Sequence, residues 1–173
     1  PFFSRFGRLT QIQVATIPVI LNGQSALVCA PTATGKTEAI VAPLSELILE
    51  DEQEGLQCVY VTPTRALVND LAERIAGPLR EVYLGLGIWT GDHHTFNFRS
   101  PRQFLLTTPE SLDSVLCRFS KCFENLRFLV LDELHLLDGT YRGDQLMVLH
   151  RRLDSRARPC SSSAGAGRGI RGR

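Results

Sequence analysis

The chain has 173 residues, of which 43% are hydrophobic, and a formal net charge of +1. This length and apolar content predict one packed α/β domain, and charged or turn residues interrupt every apolar run, which excludes a membrane-spanning helix. The near-neutral balance excludes attraction of nucleic acid by a global basic field, although residues 151–173 hold seven Arg against one Asp.

The first predicted element is a helix through residues 11–15, for which Thr10 is the expected N-cap. A turn at Asn22 and Gly23 leads to residues 25–29, an apolar run predicted to be a buried strand. Residues 30–37 then form a loop of small residues that ends in Lys-Thr. A helix is predicted from there to about Glu50.

The loop at residues 30–37 has the setting of a phosphate-binding loop, between a strand and a helix. Its backbone N–H groups and the helix N-terminus offer donors and positive partial charge to a polyphosphate. Lys36 is expected to contact the β- and γ-phosphates, and Thr37 to supply a hydroxyl ligand for Mg²⁺. Ala30 stands where the pattern has its first Gly, so an ordinary strand-to-helix turn is the alternative interpretation.

Four further apolar segments are predicted as strands, and they alternate with helical patterns. They are residues 57–61, 84–89, 104–107 and 126–131. Leu67, Leu71 and Ile75 have helical spacing, and Pro109 suits the first turn of another helix. The alternation predicts a mainly parallel sheet covered on both faces. Polar clusters follow the strands, where ligands bind in open α/β sheets.

Asp132 and Glu133 follow the most apolar predicted strand, about 95 residues after Lys36. A carboxylate at that strand end can hold Mg²⁺ directly or through water. A neighbouring Glu can orient or deprotonate the water that attacks the γ-phosphorus. The order of the segments between Lys36 and this pair favours the functional interpretation over a charge pair at a helix N-terminus.

Taken together, the motifs resemble the first RecA-like domain of a superfamily 2 helicase of the DEAD/DExH type. Gly35-Lys36-Thr37 followed by Asp132-Glu133 matches motifs I and II. Four other segments match in order: residues 10–18 resemble the Q motif, 63–67 motif Ia, 90–92 the short Gly motif and 108–112 motif Ib. Residues 132–146 are more similar to the large-helicase-related (Lhr-like) branch than to a typical DEAD-box RNA helicase. The resemblance covers roughly residues 2–153.

The resemblance implies roles for individual residues and two cofactors, ATP and Mg²⁺. Glu133 and Lys36 would be catalytic, Thr37 and Asp132 would hold the metal, and His135 would couple the nucleotide and nucleic-acid sites. The implied nucleotide-binding set is Gln13, Thr32, Ala33, Thr34, Gly35, Lys36, Thr37 and Asp132, with Phe6 or Phe3 stacking on the base. The implied nucleic-acid contacts are Thr64, Arg65, Gly91 and Thr108.

Several of these residues have open alternatives. Arg65 has a salt bridge on the helix face as its rival role, and Arg142 has solvent, phosphate or a partner domain as possible contacts. His93 and His94 are interpreted as loop surface, and Trp89 as core or rim. Phe6 and Phe3 have a packing role as their alternative.

Three departures from the family pattern bear on activity. Ala33 stands where the family usually has Gly, which costs on the order of 1 kcal/mol if that position needs positive φ. A Ser-Ala-Thr motif III does not follow motif II. The second RecA-like domain, which would supply an arginine finger worth roughly 10³–10⁵ in rate, is also missing from the chain.

The end of the chain differs in composition from the rest. Residues 1–155 are predicted to be the helicase ATP-binding domain and residues 156–173 a disordered basic tail. Seventeen Arg against two Lys suggest GC-rich coding, so a frameshifted end and a native flexible tail are both hypotheses. The cysteine number is odd, and Cys117 and Cys122 lack the partners of a zinc site. This favours a reducing, cytoplasmic location.

The sequence therefore predicts the ATP- and nucleic-acid-binding motor domain of a helicase or translocase, with DNA preferred over RNA, no membrane partner and little activity alone. In the intact parent it would be an ATP hydrolase, with DNA repair as a possible setting. A non-helicase P-loop NTPase and a degenerate binding module are the alternatives.

Overall fold

The computed structural model describes Phe2 and residues 8–51, 53–136 and 139–154. Within these residues the chain forms four strands, five α-helices and two short 3-10 helices. The strands are β1 (Cys58–Val61), β2 (Leu86–Trp89), β3 (Phe104–Thr107) and β4 (Phe128–Leu131). The α-helices are α1 (Gln11–Leu21), α2 (Lys36–Leu49), α3 (Arg65–Glu81), α4 (Pro109–Arg118) and α5 (Tyr141–Asp154). The 3-10 helices are Ser120–Phe123 and Leu134–Leu136.

The four strands form one parallel sheet in the order β2-β3-β1-β4. Val59 of β1 lies opposite Leu105 of β3 and Leu129 of β4. Parallel strands need crossover connections. Helix α3 connects β1 to β2 and α4 connects β3 to β4, whereas residues 90–103, which contain no helix, connect β2 to β3. The predicted mainly parallel α/β fold is confirmed.

Alternate residues of the central strand β1 enter two separate hydrophobic cores. Cys58 and Tyr60 belong to one core, which α2 and α3 cover. Val59 and Val61 belong to the other, which α4 and α5 cover. Side chains of successive strand residues point to opposite faces, so the two cores lie on the two faces of the sheet. The prediction of helices on both faces is also confirmed.

The prediction that residues 25–29 form a buried strand is wrong. The structure assigns no strand there, Leu27 is 78% exposed, and Cys29 is exposed rather than packed as a small apolar residue. In the described chain β4 pairs only with β1, and all four β4 residues are half-buried. If residues 25–29 paired with the free side of β4, no described strand would lie on their other side. The segment would then be an exposed edge strand.

Helix α3 continues through Gly77 and Pro78 and ends at Glu81. The predicted tail at 156–173 and the candidate base-stacking residues Phe3 and Phe6 lie outside the described residues. Among the helices that the structure describes, none is long and apolar enough to cross a membrane.

Candidate nucleotide and nucleic-acid sites

The phosphate loop adopts two left-handed backbone conformations, at Ala33 (φ 60°) and Gly35 (φ 85°). A Cβ at Gly35 would collide with the Gln13 amide nitrogen, so both the dihedral angle and the space require Gly there. Ala33 carries a Cβ at a position that favours Gly. Ala33 therefore has the positive φ at which we expect Ala to lower stability relative to Gly.

Gln13 ties α1 to the phosphate loop. Its side chain accepts a hydrogen bond from the Thr10 N–H (3.0 Å) and donates to the Gly35 carbonyl (3.3 Å), while the Thr10 hydroxyl donates to the Thr34 carbonyl (2.9 Å). Thr10 and Gln13 also form the capping box of α1. Gln13 is 2% exposed, and its described contacts are with the helix cap and the loop. Its predicted contact with adenine stays a prediction.

The first turn of α2 contains Lys36 and Thr37. Gly35 is the N-cap and makes no side-chain cap, so the first N–H groups of the helix have no capping side chain. Lys36 Nζ donates to the Ala30 carbonyl at 2.8 Å, and Thr37 is buried. A helix start with free donors, followed by a lysine held by one neutral carbonyl, fits a polyphosphate group.

Asp132 lies at the end of β4, where its N–H donates to the Val61 carbonyl (2.9 Å). One of its carboxylate oxygens accepts from the Tyr60 hydroxyl (3.2 Å) and the other from the Glu133 N–H (2.9 Å). Burial first, and then the Asp132 charge, raise the pKa of Tyr60 far above its usual range, so Tyr60 stays a donor. Each carboxylate oxygen keeps a lone pair, which fits the prediction of a Mg²⁺ ligand.

Glu133 has a left-handed backbone (φ 49°) and contacts His135. Its carboxylate lies 3.2 Å from His135 Nδ1, and the His135 side chain is 71% exposed. The described contacts thus join the two carboxylates to Tyr60 and His135, and Lys36 to Ala30. The convergence of Lys36 with Asp132 and Glu133 on one nucleotide stays a prediction.

A cleft of about 680 Å³ lies at the carboxyl ends of β1, β2 and β3. All four residues predicted to contact nucleic acid line it, from the three segments that follow β1, β2 and β3, and two further arginines from α4 and α5 join them. The six are Thr64, Arg65, Gly91, Thr108, Arg118 and Arg142. The fold therefore brings the predicted set together on one concave surface.

Two of the three cleft arginines are paired with carboxylates. Arg65 lies 3.3 Å from Asp92, and Arg142 lies 2.6 Å from Glu110. A Cβ at Gly91 would collide with the Arg65 guanidinium, so the absence of a side chain at Gly91 makes room for Arg65. The Thr90 hydroxyl, and less strongly Arg65, lower the pKa of Asp92. The Asp92 carboxylate is therefore charged at neutral pH.

Two threonines of the cleft also have local structural roles. Thr64 is the N-cap of α3 and accepts from the Leu67 N–H at 3.3 Å, and the Thr108 hydroxyl donates to Ser111 Oγ at 3.1 Å. A hydroxyl can both accept and donate, so these bonds leave capacity for a ligand.

A family model described as DEAD/DEAH box helicase matches residues 10–170 of the 173. The chain belongs to the DEAD/DEAH box helicase family. The match covers both sites described above.

Individual helicases agree with the Lhr-like resemblance, which is confirmed. The ATP-dependent helicase Lhr-Core protein 2 of Thermococcus barophilus is 31% identical over 179 residues, which cover 90% of this chain and 21% of the relative. The structure of the Mycobacterium smegmatis helicase Lhr bound to ssDNA and AMP-PNP superposes with a TM-score of 0.79 at 29% identity, over 90% of this chain and 22% of that one. The DEAD-box helicase Mss116 bound to ssRNA and UDP-BeF gives a TM-score of 0.77 at 26% identity, over 91% and 34%. This helicase domain thus spans about a fifth of the length of the Lhr relatives.

Sequence reasoning missed several features of the helicase domain's cleft. Asp92 and Glu110 pair with the cleft arginines, Arg118 lines the cleft, and His94 packs on Trp89 there. Asp92 was visible only as the last residue of a short motif, and Glu110 as part of another. No local pattern marked Arg118, because its place in the cleft depends on how α4 packs.

Proposed function

We propose that this domain is the ATP- and nucleic-acid-binding part of an ATP-dependent helicase or translocase motor. The observation that carries the proposal is the cleft. Thr64, Arg65, Gly91 and Thr108 come from the three segments that follow β1, β2 and β3, and they line one concave surface with Arg118 and Arg142. Guanidinium, hydroxyl and main-chain N–H groups are the usual contacts to a phosphate backbone.

In this proposal ATP–Mg²⁺ binds at the phosphate loop. Residues 32–37 would hold the phosphates, with Thr37 and Asp132 on Mg²⁺, Gln13 on the adenine edge and Glu133 on the attacking water. Bound ATP supplies the phosphoanhydride bond whose cleavage drives movement. Lys36 would exchange the Ala30 carbonyl for the β- and γ-phosphates, since a charged acceptor binds an ammonium more strongly than a neutral one.

We propose single-stranded DNA rather than RNA as the polymer. The M. smegmatis Lhr structure holds ssDNA, whereas Mss116, which is less similar in sequence, holds ssRNA. DNA repair and a cytoplasmic location are part of the same proposal, and the odd number of cysteines supports the reducing location.

The isolated chain should bind nucleotide weakly and hydrolyse it very slowly. In this proposal a second RecA-like domain of the parent protein completes the ATP cleft and supplies an arginine finger, worth roughly 10³–10⁵ in rate in other NTPases. Robust ATP hydrolysis stimulated by nucleic acid from these 173 residues alone would contradict this part of the proposal.

The experiment measures binding of a fluorescein-labelled 12-nucleotide DNA, and of its RNA equivalent, with and without AMP-PNP and Mg²⁺. We expect Arg65→Ala to weaken DNA binding and Lys36→Ala to abolish only the effect of nucleotide. Arg80→Ala is the matched control, because Arg80 is an exposed arginine on the same helix that does not line the cleft. Equal losses from Arg65→Ala and Arg80→Ala would contradict nucleic-acid binding in the cleft.

A second candidate is a binding module that has lost nucleotide dependence. The strained φ of Ala33 and the position of residues 25–29 outside the sheet favour it. A thermal midpoint that does not move with ATP–Mg²⁺, together with DNA binding that is indifferent to nucleotide, would support this candidate. ATP hydrolysis that ignores DNA and RNA would instead support a non-helicase NTPase.

A further inference from the structure

The cleft contains an aromatic pair that the helicase motifs do not include. Trp89, the only tryptophan of the chain, ends β2, and the turn at 90–93 returns His94 onto it. Their ring centroids are 4.1 Å apart with a tilt of 37°. Both residues line the cleft; Trp89 is half-buried and His94 is exposed. An imidazole with an indole behind it is therefore available to a ligand in the cleft.

A second layer of aromatic rings supports this pair. The Phe98 ring lies 4.8 Å from Trp89 and stacks on Phe119 at 4.1 Å, nearly parallel, and the buried Phe96 lies 4.9 Å from Phe98. Hydrogen bonds from the N–H of Thr90 to the His93 carbonyl (2.9 Å) and from the N–H of Thr95 to the Ile88 carbonyl (2.9 Å) hold the turn. Both the rings and the backbone thus keep His94 in place.

The charges of the cleft suit a polyanion with flat, accessible bases. Arg65 and Arg142 are paired with Asp92 and Glu110, and Arg118 has no ion-pair partner among the described residues. A groove that combines cations with aromatic rings is how proteins hold single strands, since phosphates meet the cations and bases stack on the rings. The bases of a duplex are stacked on one another and do not offer a free face.

We propose that His94, supported by Trp89, is a base-stacking subsite that makes this cleft select single-stranded over duplex nucleic acid. The inference rests on the proposed function, because it requires the cleft to bind a nucleic-acid backbone. It adds a contact to the base, which phosphate-binding motifs do not supply.

The test compares two 12-nucleotide DNAs with the same phosphates, oligothymidylate and a fully abasic strand. We expect the full chain to bind oligothymidylate about fivefold or more tightly than the abasic strand, which is the low end of base–aromatic stacking. Emission of Trp89 reports the contact directly, and we expect oligothymidylate to quench it and the abasic strand not to. A 12-base-pair duplex should bind no more tightly than the abasic strand.

Variants assign the effect to the ring of residue 94. His94→Ala should bring oligothymidylate affinity close to that of the abasic strand and leave the abasic affinity unchanged, whereas His94→Phe should retain the preference. His93→Ala is the matched control, because His93 is an exposed neighbour that does not line the cleft. Circular dichroism and the thermal midpoint of each variant verify folding.

The outcomes separate this inference from the function on which it rests. Equal binding of oligothymidylate and abasic DNA, or a preference that survives in His94→Ala, overturns the stacking subsite and leaves phosphate binding in the cleft intact. Binding of neither strand overturns both proposals. A preference that is lost in His94→Ala and kept in His94→Phe and His93→Ala supports the subsite.

Discussion

Ala33 holds a left-handed backbone conformation in the phosphate loop, where its Cβ crowds the following carbonyl. Replacement by Gly removes that crowding, although Gly also gains entropy in the unfolded chain. We expect Ala33→Gly to raise the free energy of unfolding by up to about 1 kcal/mol. Urea denaturation followed by circular dichroism measures this change.

Ala30→Gly is the matched control for that measurement. Ala30 belongs to the same loop but does not have a positive φ, so Gly there should lower the free energy of unfolding by about 0.4–1 kcal/mol through the unfolded chain. Changes of the same sign at both positions would contradict strain at Ala33.

In the proposed function, Asp92 would compete with nucleic acid for Arg65, because it already pairs with that guanidinium. Asp92→Asn removes the charge that pairs with the guanidinium and nearly preserves the shape of the side chain. Exposed ion pairs are weak and are screened by salt, so we expect oligonucleotide affinity to rise by at most about fivefold at low salt, measured by fluorescence anisotropy. Asp70→Asn, which removes a partner of Arg74 outside the cleft, should leave the affinity unchanged.

The pH dependence of that pair follows from the lowered pKa of Asp92, which the Thr90 hydroxyl causes first. A carboxylate with a lowered folded-state pKa stabilises the fold above its unfolded pKa, and this contribution is lost as the pH falls through the folded value. The range from pH 6 to 8 lies above both pKa values, so Asp92 stays ionised throughout it. We therefore expect the ratio between the oligonucleotide affinities of wild type and Asp92→Asn to be constant from pH 6 to 8. A ratio that changes within this range would contradict an Asp92 that stays ionised from pH 6 to 8.

At the scale of elements, residues 25–29 and β1 have similar apolar patterns and different surroundings. Cys29 is exposed, whereas Cys58 is buried in β1 and burial raises the pKa of its thiol far above the usual range. Alkylation needs an accessible thiolate. We expect iodoacetamide to label Cys29 rapidly and Cys58 only after denaturation, as peptide mass spectrometry would show.

The exposed Cys117 of α4 is the positive control for that experiment, since it should react under the same conditions. Protection of Cys29 to the same degree as Cys58 would contradict the position of residues 25–29 and would indicate that they join the sheet at β4.

At the scale of the whole molecule, the two cores share one sheet, so the domain should unfold as a unit. Leu149 of α5 is 1% exposed and belongs to the core that Val59 and Val61 also enter. We expect Leu149→Ala to lower the free energy of unfolding by about 2–5 kcal/mol. The loss should be the same by circular dichroism and by fluorescence of Trp89, which packs against the same core.

Met147→Ala is the control on the same helix, because Met147 is 59% exposed and should change stability by less than about 0.5 kcal/mol. Transitions that differ between the two probes in Leu149→Ala would contradict a single cooperative domain.

The sequence alone predicted four of the five proposed strands, because short apolar runs bounded by turn residues become buried strands when neighbours pair with them. Residues 25–29 have the same local pattern but no strand on either side in the described chain. Pairing partners come from distant segments, so a local pattern does not reveal them. The Gly-Lys-Thr loop and the Asp-Glu pair were visible for the opposite reason, since the chemistry proposed for them needs those residue types at those places.

By itself the sequence determined the fold class and the family, because hydrophobic spacing and charged motifs are local properties. The residues proposed to carry phosphate and metal chemistry were predicted from the same motifs and stay a prediction. Only the tertiary structure decided that Gln13 is bound to Gly35, that Arg65 pairs with Asp92, and that His94 packs on Trp89 in the same cleft as the arginines. These contacts join segments that are distant in the sequence. Packing of the two cores against the sheet decides which of these segments come close together.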